Sequence, residues 1–483
     1  MSGHQPRRLG LPLTWLAAAI ALIGALPASL PAPAKGLDPY TAIIDLGVTN
    51  TPGDGYVVFD QTGNIPALRF MPGATGKTYK IIQTAPERFF GIDVLTGGPV
   101  TLVISGIDTT HPIWVNPGSD LTLILDGTNY VRSYISVPET TAITIDSLND
   151  SETDKLIIPS TPGSSNTNAA IGGQGAHTGG LTAQPGGVIT INGGYITITA
   201  SSTGAGIGGG GCVPMELGNQ AKGSGGGVIT INGGRIDIAQ YGYGNPDGGG
   251  FAGAAIGSGG HCTSSSSLSP YGPASQITIN GGTINVTQYS NAAGIGAGTY
   301  ARVGTIVING GTIDAKSIRL SADPYAGAGA AIGSSAGTSA TGPASITING
   351  GQISATTESV GAGIGASNNN QPVEITITGG QIYAMSRAGS GIGYVSDPKG
   401  SRITITGGQI VAESQTGAGI GNYPATAPDF CLGPGAEVKA YSKTGPAFNV
   451  RAVAPPEGHC SGYHVNAQLN QPLSPTKATR LDV

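Results

Sequence analysis

The amino-acid sequence predicts an all-β protein, a single right-handed parallel β-helix of about 12 coils with three short strands per coil. Three observations predict this fold: an excess of glycine, a repeat of 21 residues and a later repeat of 28–29 residues. Glycine accounts for 83 of the 483 residues, whereas charged residues account for only 10%. Collagen is excluded because glycine does not recur at every third position. Disorder is disfavoured because apolar residues make up 39% and isoleucine recurs regularly.

Residues 1–34 are predicted to be a secretory signal. Arg7 and Arg8 precede an apolar run from Leu13 to Leu26, and small residues up to Ala34 offer a cleavage site. The run is too short and too early to be a stable membrane span. The arginine pair leaves both the Sec and the twin-arginine export routes open. We therefore expect a secreted, extracellular protein with no membrane contact after cleavage.

The charge of the mature chain argues against a nucleic-acid partner. The formal net charge of the whole chain is −5, and removal of the two signal arginines leaves 20 basic and 27 acidic residues, or −7. No cluster of Lys and Arg with interleaved aromatic residues is present in the sequence. We expect no nucleic-acid partner, and the oligomeric state is left open.

The β-helix is expected to cover residues 79–429. Short apolar segments begin at positions 79, 100, 121 and 142, a constant step of 21 residues that continues to about residue 160. A fixed period of short β-rich segments is typical of a solenoid, whose coils bury their apolar side only against their neighbours. Residues 35–78 and 430–483 are expected to cap the two ends, because an open end would expose strand edges.

A second unit begins near residue 186, where Ile-Thr-Ile-Asn-Gly-Gly or a close variant recurs and leads each time to Gly-Ile-Gly or Ala-Ile-Gly. The basic step is 28–29 residues, and longer steps carry inserted loops. Because side chains alternate along a strand, both isoleucines should point inward and the threonine outward. Asn-Gly-Gly supplies a corner, and stacked corners predict an internal asparagine ladder. Its members are Asn192, Asn232, Asn280, Asn309 and Asn349.

The outward threonines are expected to form a row along one sheet. Ordered hydroxyl rows suit the surface of ice or of a crystalline polysaccharide, although threonine on an exposed strand is also simply a good strand former. Val307 interrupts the row. Its members are Thr190, Thr230, Thr278, Thr347, Thr376 and Thr404.

The four cysteines are predicted to form two disulfides, Cys212–Cys262 and Cys431–Cys460. Cys212 and Cys262 follow the core isoleucines of adjacent coils by five and six residues, and the other two cysteines are 29 residues apart. Stacked coils place such Cα atoms about 5 Å apart, which is within the disulfide range. Zinc is the alternative, but no Cys-x₂-Cys spacing supports it.

No cofactor is expected. Copies of Gly-Ala-Gly-Ile-Gly look like nucleotide-binding loops, but no helix follows them and no Gly-Lys-Ser/Thr is present. The calcium-binding Gly-Gly-x-Gly-x-Asp nonapeptide is also absent. No metal-ligand set is predicted, and a structural or catalytic calcium is left open, although no residue pattern indicates one.

A candidate catalytic site is predicted where neighbouring coils carry unlike side chains. Asp237 and Asp314 are expected two coils apart with Asn285 between them, roughly 9.6 Å by coil spacing. This is near the upper limit for the carboxyl pair of an inverting glycosidase, about 6.5–9.5 Å. Lys316 and Arg319 follow Asp314 and could supply the base of a polysaccharide lyase. Alternatively, Asp and Asn near coil corners make local backbone bonds and are simply solvated.

Substrate-binding residues are predicted around these carboxylates. The coils that bear them carry long insertions, residues 241–251 and 321–328, so the short coil between them would form the floor of a cleft. Tyrosine rings offer flat faces for sugar rings, and polar neighbours can bind hydroxyl groups. The predicted set is Gln240, Tyr241, Tyr243, Asn285, Gln288, Tyr289 and Tyr325.

The pattern I-T-I-N-G-G…G-A-G-I-G resembles that of exported bacterial β-helix proteins described as carbohydrate-binding-domain or adhesin-like, over about residues 79–425. At fold level it is similar to the pectate-lyase-like β-helix superfamily, whose members bind, cleave or epimerise polysaccharides. The resemblance implies a polysaccharide or other cell-surface glycan as partner. The W-I-D-H and R-x-P-x-x-R motifs of pectate lyases and the N-T-D, D-D and H-G sets of polygalacturonases are absent, so no catalytic residue carries over.

Two functions from different classes follow. The first is a secreted protein that binds extracellular polysaccharide along its coil face. The second is a polysaccharide-degrading enzyme, a glycoside hydrolase or a lyase, with a cleft between the inserted loops of the middle coils. Retention on a polysaccharide without cleavage would indicate the first, whereas new reducing ends or unsaturated products would indicate the second.

Overall fold

A computed structural model describes most of the repeating part of the chain. The described residues are 40–47, 53–58, 68–86, 91–159, 166–176, 183–212, 224–242, 251–260, 274–318, 329–335, 344–367, 372–395, 401–422, 427–452 and 479–480. Within these ranges the secondary structure is β-strand apart from one short 3₁₀ helix, Pro72–Ala74. None of the described segments is a helix that is long and apolar enough to cross a membrane.

The coils contribute three sets of strands, and each strand pairs in parallel with its equivalents on the neighbouring coils. The result is three ladders, which we number 1, 2 and 3 in the order in which the chain meets them in the coils from residue 99 onward. Ladders 1 and 2 belong to one 24-stranded sheet, because Arg402–Ser414 and Asp429–Ser442 run through both. Ladder 3 lies in a separate 14-stranded sheet. The predicted all-β parallel β-helix with three strands per coil is therefore confirmed.

The strand bounds are as follows. Ladder 1 contains Ala42–Asp45, Thr78–Ile82, Pro99–Ser105, Asp120–Asp126, Ala142–Ser147, Val188–Ile191, Val228–Ile231, Gln276–Ile279, Thr305–Ile308, Ala344–Ile348, Val373–Ile377 and the first parts of Arg402–Ser414 and Asp429–Ser442, with Arg451–Ala452 after them. Ladder 2 contains Asp108–Thr109, Thr128–Val131, Lys155–Pro159, Tyr195–Ser201, Arg235–Tyr241, Thr283–Tyr289, Thr312–Ser317, Gln352–Thr357, Gln381–Ser386 and the later parts of the two long strands. Ladder 3 contains Leu68–Phe70, Ile92–Val94, Ile113–Val115, Ile135–Ser136, Ile171–Gly172, Ile207–Gly208, Ile256–Gly257, Ile295–Gly296, Ile332–Gly333, Ile364–Gly365, Ile392–Tyr394, Ile420–Asn422 and Phe448–Asn449. Two antiparallel strands flank these ladders, Tyr56–Val58 beside Leu68–Phe70 and Thr479–Arg480 beside Asp429–Ser442.

Parallel pairing extends beyond the predicted limits of the β-helix. Ala42–Asp45 pairs with Thr78–Ile82 ahead of residue 79. At the other end, Phe448–Asn449 pairs with Ile420–Asn422 after residue 429. Parts of both segments that we expected to be caps therefore contribute strands to the ladders.

The core is a stack of isoleucines. In ladder 1, Ile229 is in register with Ile189 and Ile277 of the adjacent coils, and all three are at most 1% exposed. Ladder 3 adds one buried isoleucine from each middle coil, such as Ile256. Full burial of an isoleucine contributes about 1.5–3 kcal/mol, so the repeated stack is the main source of stability. The threonine between the two isoleucines stays half-exposed, as the alternation predicts.

A column of glycines in ladder 3 lets successive coils approach closely. Each glycine follows the buried isoleucine and has a φ between +118° and +144°. A Cβ built on Gly208 would lie 1.9 Å from the carbonyl oxygen of Gly257, and the other members show the same contact at 1.9–2.1 Å. No side chain fits there, which explains the last glycine of Gly-Ile-Gly. The column consists of Gly172, Gly208, Gly257, Gly296, Gly333, Gly365, Gly393 and Gly421.

Candidate functional site

The two carboxylates predicted to be catalytic lie on the outward side of ladder 2. Asp237 is in register with Asn285, and Asn285 with Asp314, so one amide separates the carboxylates along the column. Buried Ile236 and Ile284 precede two of these residues, and strand alternation turns the polar side chains outward. The register thus places the two carboxylates two coils apart, as the repeat implies, while their distance and catalytic roles stay predictions.

Asp237 is the centre of a hydrogen-bonded network. Its carboxylate accepts hydrogen bonds from the Tyr195 hydroxyl (2.6 Å), the Asn285 amide (2.6 Å) and Arg235 Nε (3.1 Å). Burial, the largest single influence, raises the pKa of Asp237, but these hydrogen bonds and the Arg235 charge outweigh it, so the pKa is lowered. Asp237 is therefore ionised at neutral pH, which does not suit a general acid and does suit a base.

Asp314 has a different partner. Lys316 Nζ lies 2.5 Å from Asp314 Oδ2, and both side chains are partly exposed. The other carboxylate oxygen, Oδ1, is buried and has no hydrogen-bond partner among the described residues. Lys316 is thus ion-paired with a neighbouring carboxylate, and its role as the base of a lyase reaction stays a prediction.

The predicted glutamines do not face a cleft. Gln240 and Gln288 are in register and completely buried. The Gln240 amide donates to the carbonyl oxygens of Ser202 and Gly204, and the Gln288 amide donates to Gly253 O at 3.4 Å. Two buried isoleucines precede Gln240 at alternating positions, so strand geometry sends this glutamine inward as well. Both glutamines hydrogen-bond to backbone carbonyl groups inside the coils and cannot contact an outside ligand. The prediction that they bind substrate was therefore wrong.

The predicted tyrosines are partly within the described residues. Tyr241 and Tyr289 are in register, half-buried and stacked, with ring centroids 4.5 Å apart and an interplanar angle of 9°. Tyr243, Arg319 and Tyr325 lie outside the described residues, as do most of the two insertions that were expected to wall a cleft. The cleft therefore stays a prediction.

Sequence reasoning missed the residues that fix Asp237. Tyr195 occupies the start of its strand one coil earlier and is in register with Arg235. The Arg235 guanidinium lies 4.8 Å from the centroid of the Tyr195 ring, and Lys155 approaches the same ring at 5.1 Å. The signal was present in the repeat, because Arg235 precedes Asp237 by two positions and therefore shares its outward face.

A second outward surface is larger and more regular. We call it the Thr–Asn face: the outward side chains of ladder 1 and of the corner that follows, over five consecutive coils. Strand pairing puts these side chains in register from coil to coil. None of its 15 side chains is charged. They are Val188, Thr190, Asn192, Val228, Thr230, Asn232, Gln276, Thr278, Asn280, Thr305, Val307, Asn309, Ser345, Thr347 and Asn349.

The asparagines of this face form the predicted ladder, but the ladder is exposed and not internal. Each amide donates to the preceding asparagine: Asn232 to Asn192 at 2.8 Å, Asn280 to Asn232 at 2.7 Å, Asn309 to Asn280 at 2.7 Å. Asn349 continues the series to Asn309 at 2.8 Å. The expectation of an internal position was wrong because each asparagine follows an inward isoleucine, and alternation turns the next side chain out.

The threonine row extends beyond the face. It lies along ladder 1, and each of its threonine side chains is partly exposed. Pairing places further threonines of the 21-residue coils in the same row, so that it covers eleven coils with Val307 as its single interruption. The additional members are Thr78, Thr101, Thr122 and Thr144.

The face offers repeated hydrogen-bonding groups to a ligand. An asparagine amide has two donor hydrogens, and its oxygen has two lone pairs. Within the ladder Asn232, Asn280 and Asn309 each use one donor and one lone pair, so one of each remains for an outside group. Adjacent threonine hydroxyls add a donor and an acceptor per coil. The same set recurs about every 4.8 Å, the spacing of neighbouring strands.

The described residues contain no cluster of three or more His, Cys, Asp or Glu that could hold a metal ion. Neither described cysteine, Cys212 or Cys431, is a free thiol. Their predicted partners, Cys262 and Cys460, lie outside the described residues, so both pairings stay predictions.

Comparison with known proteins supports the architecture. A model described as Beta helix repeat matches residues 189–211, 277–299, 306–336, 346–368, 375–393 and 403–422, which lie in the Ile-Thr-Ile coils. The repeat match and the three parallel ladders define the chain as a parallel β-helix protein. Comparisons with curated proteins and with solved structures give no match.

Proposed function

We propose that this chain is a secreted β-helix protein, of the exported adhesin-like type, that binds extracellular polysaccharide along its Thr–Asn face. One observation carries the proposal: five consecutive coils present 15 aligned outward side chains without a charge among them. Such a surface matches a neutral polymer whose own groups repeat along its length. An anionic polymer would instead require Lys or Arg at these positions.

The composition of the face suits a sugar polymer. Hydroxyl and amide groups can exchange hydrogen bonds with sugar hydroxyls. Val188 and Val228, which are 43% and 38% exposed, supply apolar contact for the C–H faces of sugar rings. Because the asparagines hold one another in place, their free groups are ordered before a ligand arrives, which reduces the entropy cost of binding.

Secretion is part of the proposal. The predicted signal at residues 1–34 and the absence of free thiols among the described cysteines both agree with an oxidising, extracellular location. The ligand is then a polysaccharide or other cell-surface glycan outside the cell.

A second candidate function is cleavage of such a polymer at Asp237 and Asp314. The observation in its favour is that both carboxylates lie on one outward column with a single residue between them. The lowered pKa of Asp237 fits the role of a base that activates water, and Asp314 is the other carboxylate of the pair.

Co-sedimentation with insoluble neutral polysaccharides tests the proposal. Wild type should be retained, and Thr230→Lys combined with Thr278→Lys should lose about tenfold or more of its affinity, because two charges would be pressed against a neutral surface. Thr356→Lys on ladder 2 is the matched control and should bind like wild type. Equal retention of the double variant and the control would overturn the proposal.

The supernatants of the same experiment distinguish the alternatives. New reducing ends that disappear in Asp237→Asn with Asp314→Asn would establish the hydrolase. Unsaturated products would establish a lyase. Inhibition of ice growth without any polysaccharide retention would assign the Thr–Asn face to ice and overturn the proposed ligand.

A further inference from the structure

A separate cavity lies on the outward side of ladder 3, beside Trp114. Its volume is about 390 Å³, within the range of about 300–1,000 Å³ that is usual for small-molecule sites. It is bordered by Trp114, by the segment after Ile135–Ser136, and by Gln174 and Gln184 of the following coil. We propose that this cavity binds one neutral pyranose unit of a saccharide, stacked on the Trp114 indole. The proposal shares its ligand class with the proposed function, but it concerns a different face of the β-helix.

The cavity exists because side chains shrink along one outward column. Strand pairing aligns Trp114 with Ser136, and Ser136 with Gly172. The column therefore passes from an indole to a hydroxymethyl group and then to a hydrogen atom within two coils. The large ring stands at the edge of the space that the two smaller residues leave.

The indole is held in one orientation. A Cβ on Gly91 would come within 2.6 Å of Trp114 Cζ3, so the benzene edge of the ring lies against that glycine. The Tyr134 side chain lies beside the indole as well. A ring that is fixed before the ligand arrives loses little entropy on stacking.

Polar groups converge on the same space. The Gln174 amide donates to the Ser136 hydroxyl at 3.0 Å, which orients this glutamine and leaves its carbonyl oxygen for a ligand. The Gln184 backbone N–H donates a hydrogen bond to the Gln174 backbone carbonyl oxygen at 2.8 Å. The side-chain amide of Gln184 makes no hydrogen bond within the described residues. The carboxylate of Glu139 is exposed at the opening and has no ion-pair partner within the described part of the chain.

These groups select a neutral, hydroxyl-rich ligand. No Lys, Arg or His is among the described residues that line the cavity, so an anionic ligand would meet only the Glu139 carboxylate. The apolar face of a pyranose can stack on the indole, while its hydroxyls donate to Glu139 and Gln174. Three prolines, Pro117, Pro138 and Pro185, stiffen the surrounding walls.

Tryptophan fluorescence gives a direct test. The chain contains two tryptophans, and cleavage of the predicted signal removes Trp15, so Trp114 is the only reporter in the mature chain. Titration of this chain with neutral methyl glycosides and soluble oligosaccharides should give a saturable change in emission. Glu139→Gln and Gln174→Ala should each weaken the affinity by about tenfold. Glu358→Gln, an exposed carboxylate on another coil, is the matched control and should leave the affinity unchanged.

Further variants separate this site from the Thr–Asn face. Trp114→Ala should lose soluble-saccharide binding, measured by calorimetry, and keep retention on insoluble polysaccharide; Trp114→Phe should bind partially. Thr230→Lys with Thr278→Lys should behave in the opposite way. The inference is overturned if no neutral sugar changes the emission saturably, if Glu139→Gln and Gln174→Ala titrate like wild type, or if a quaternary ammonium compound saturates the site and the sugars do not.

Discussion

The sulfur of Cys212 lies 3.1 Å from the carbonyl oxygen of Gly260 on the neighbouring coil, and the Cys212 N–H donates to the same oxygen at 3.4 Å. Cys262 follows Gly260 by two residues. The other described cysteine, Cys431, follows the coil of Ile420, six coil steps or roughly 29 Å along the stack. Of the two described cysteines, Cys431 is therefore too far away to pair with Cys212.

We predict that peptide mapping without reduction will find Cys212 joined to Cys262 and Cys431 joined to Cys460. Reduction, or the paired change Cys212→Ser with Cys262→Ser, should lower the free energy of unfolding by about 2–4 kcal/mol. A peptide that links Cys212 to Cys431 would contradict the coil register.

The glycine column should tolerate no side chain. Gly257→Ala should cost about 1–2 kcal/mol for the left-handed backbone and about 1–3 kcal/mol more for the collision with Gly296 O. Gly106→Ala is the control, because Gly106 also has a positive φ, +67°, with nothing within 4 Å of an added Cβ. Urea unfolding followed by circular dichroism measures both, and equal losses would show that close coil contact is not the cause.

The exposed asparagine ladder should contribute measurable stability. Asn280→Ala removes two hydrogen bonds, one to Asn232 and one from Asn309, and should destabilise the protein by about 1–2 kcal/mol. Gln276→Ala changes an outward amide of the same coil that has no hydrogen bond in the described structure, so it should be nearly neutral. If both variants unfold at the same urea concentration, the ladder is not stabilising.

The Asp237 network should make stability depend on acid pH. Because the folded pKa of Asp237 lies below its ordinary value of 3.8, its stabilisation is present above about pH 4 and is lost as the pH falls through the lower folded value. The melting temperatures of wild type and Asp237→Asn should therefore differ most near neutral pH and converge in acid.

A second variant identifies the cause of this pH dependence. Tyr195→Phe removes one donor to the carboxylate, which raises the pKa of Asp237 and moves the acid loss of stability to higher pH. A difference between wild type and Asp237→Asn that stays constant down to acid pH would exclude the network as its source.

Much of the fold was predictable because a repeat fixes register. The step between Ile-Thr-Ile units places Asp237, Asn285 and Asp314 on one column, as the pairing shows. Period-2 alternation also predicts that Gln240 points inward and Asn280 outward, as the structure has them, whereas residue polarity and the corner motif suggested the opposite. Strand alternation is thus a stronger guide than residue polarity in such coils.

Other features depend on distances between coils, which a linear sequence does not contain. The need for glycine at Gly208 arises from the carbonyl oxygen of Gly257, 49 residues later. The cavity beside Trp114 similarly requires the positions of Gln174 and Gln184, which sit on an irregular part of the chain between the two repeats. Loop lengths there follow neither period, so their fold could not be inferred from spacing.

The three ladders have a consequence for how the molecule loses its structure. Each coil pairs only with the coil before it and the coil after it, so the stack behaves as a one-dimensional chain of nearest neighbours. The terminal coils can therefore unfold locally while the central coils stay paired. Amide hydrogen exchange should slow progressively from either end of the β-helix toward the middle. A single weakened coil near Gly257 would instead act as a breakpoint and divide the rod into two blocks that melt separately.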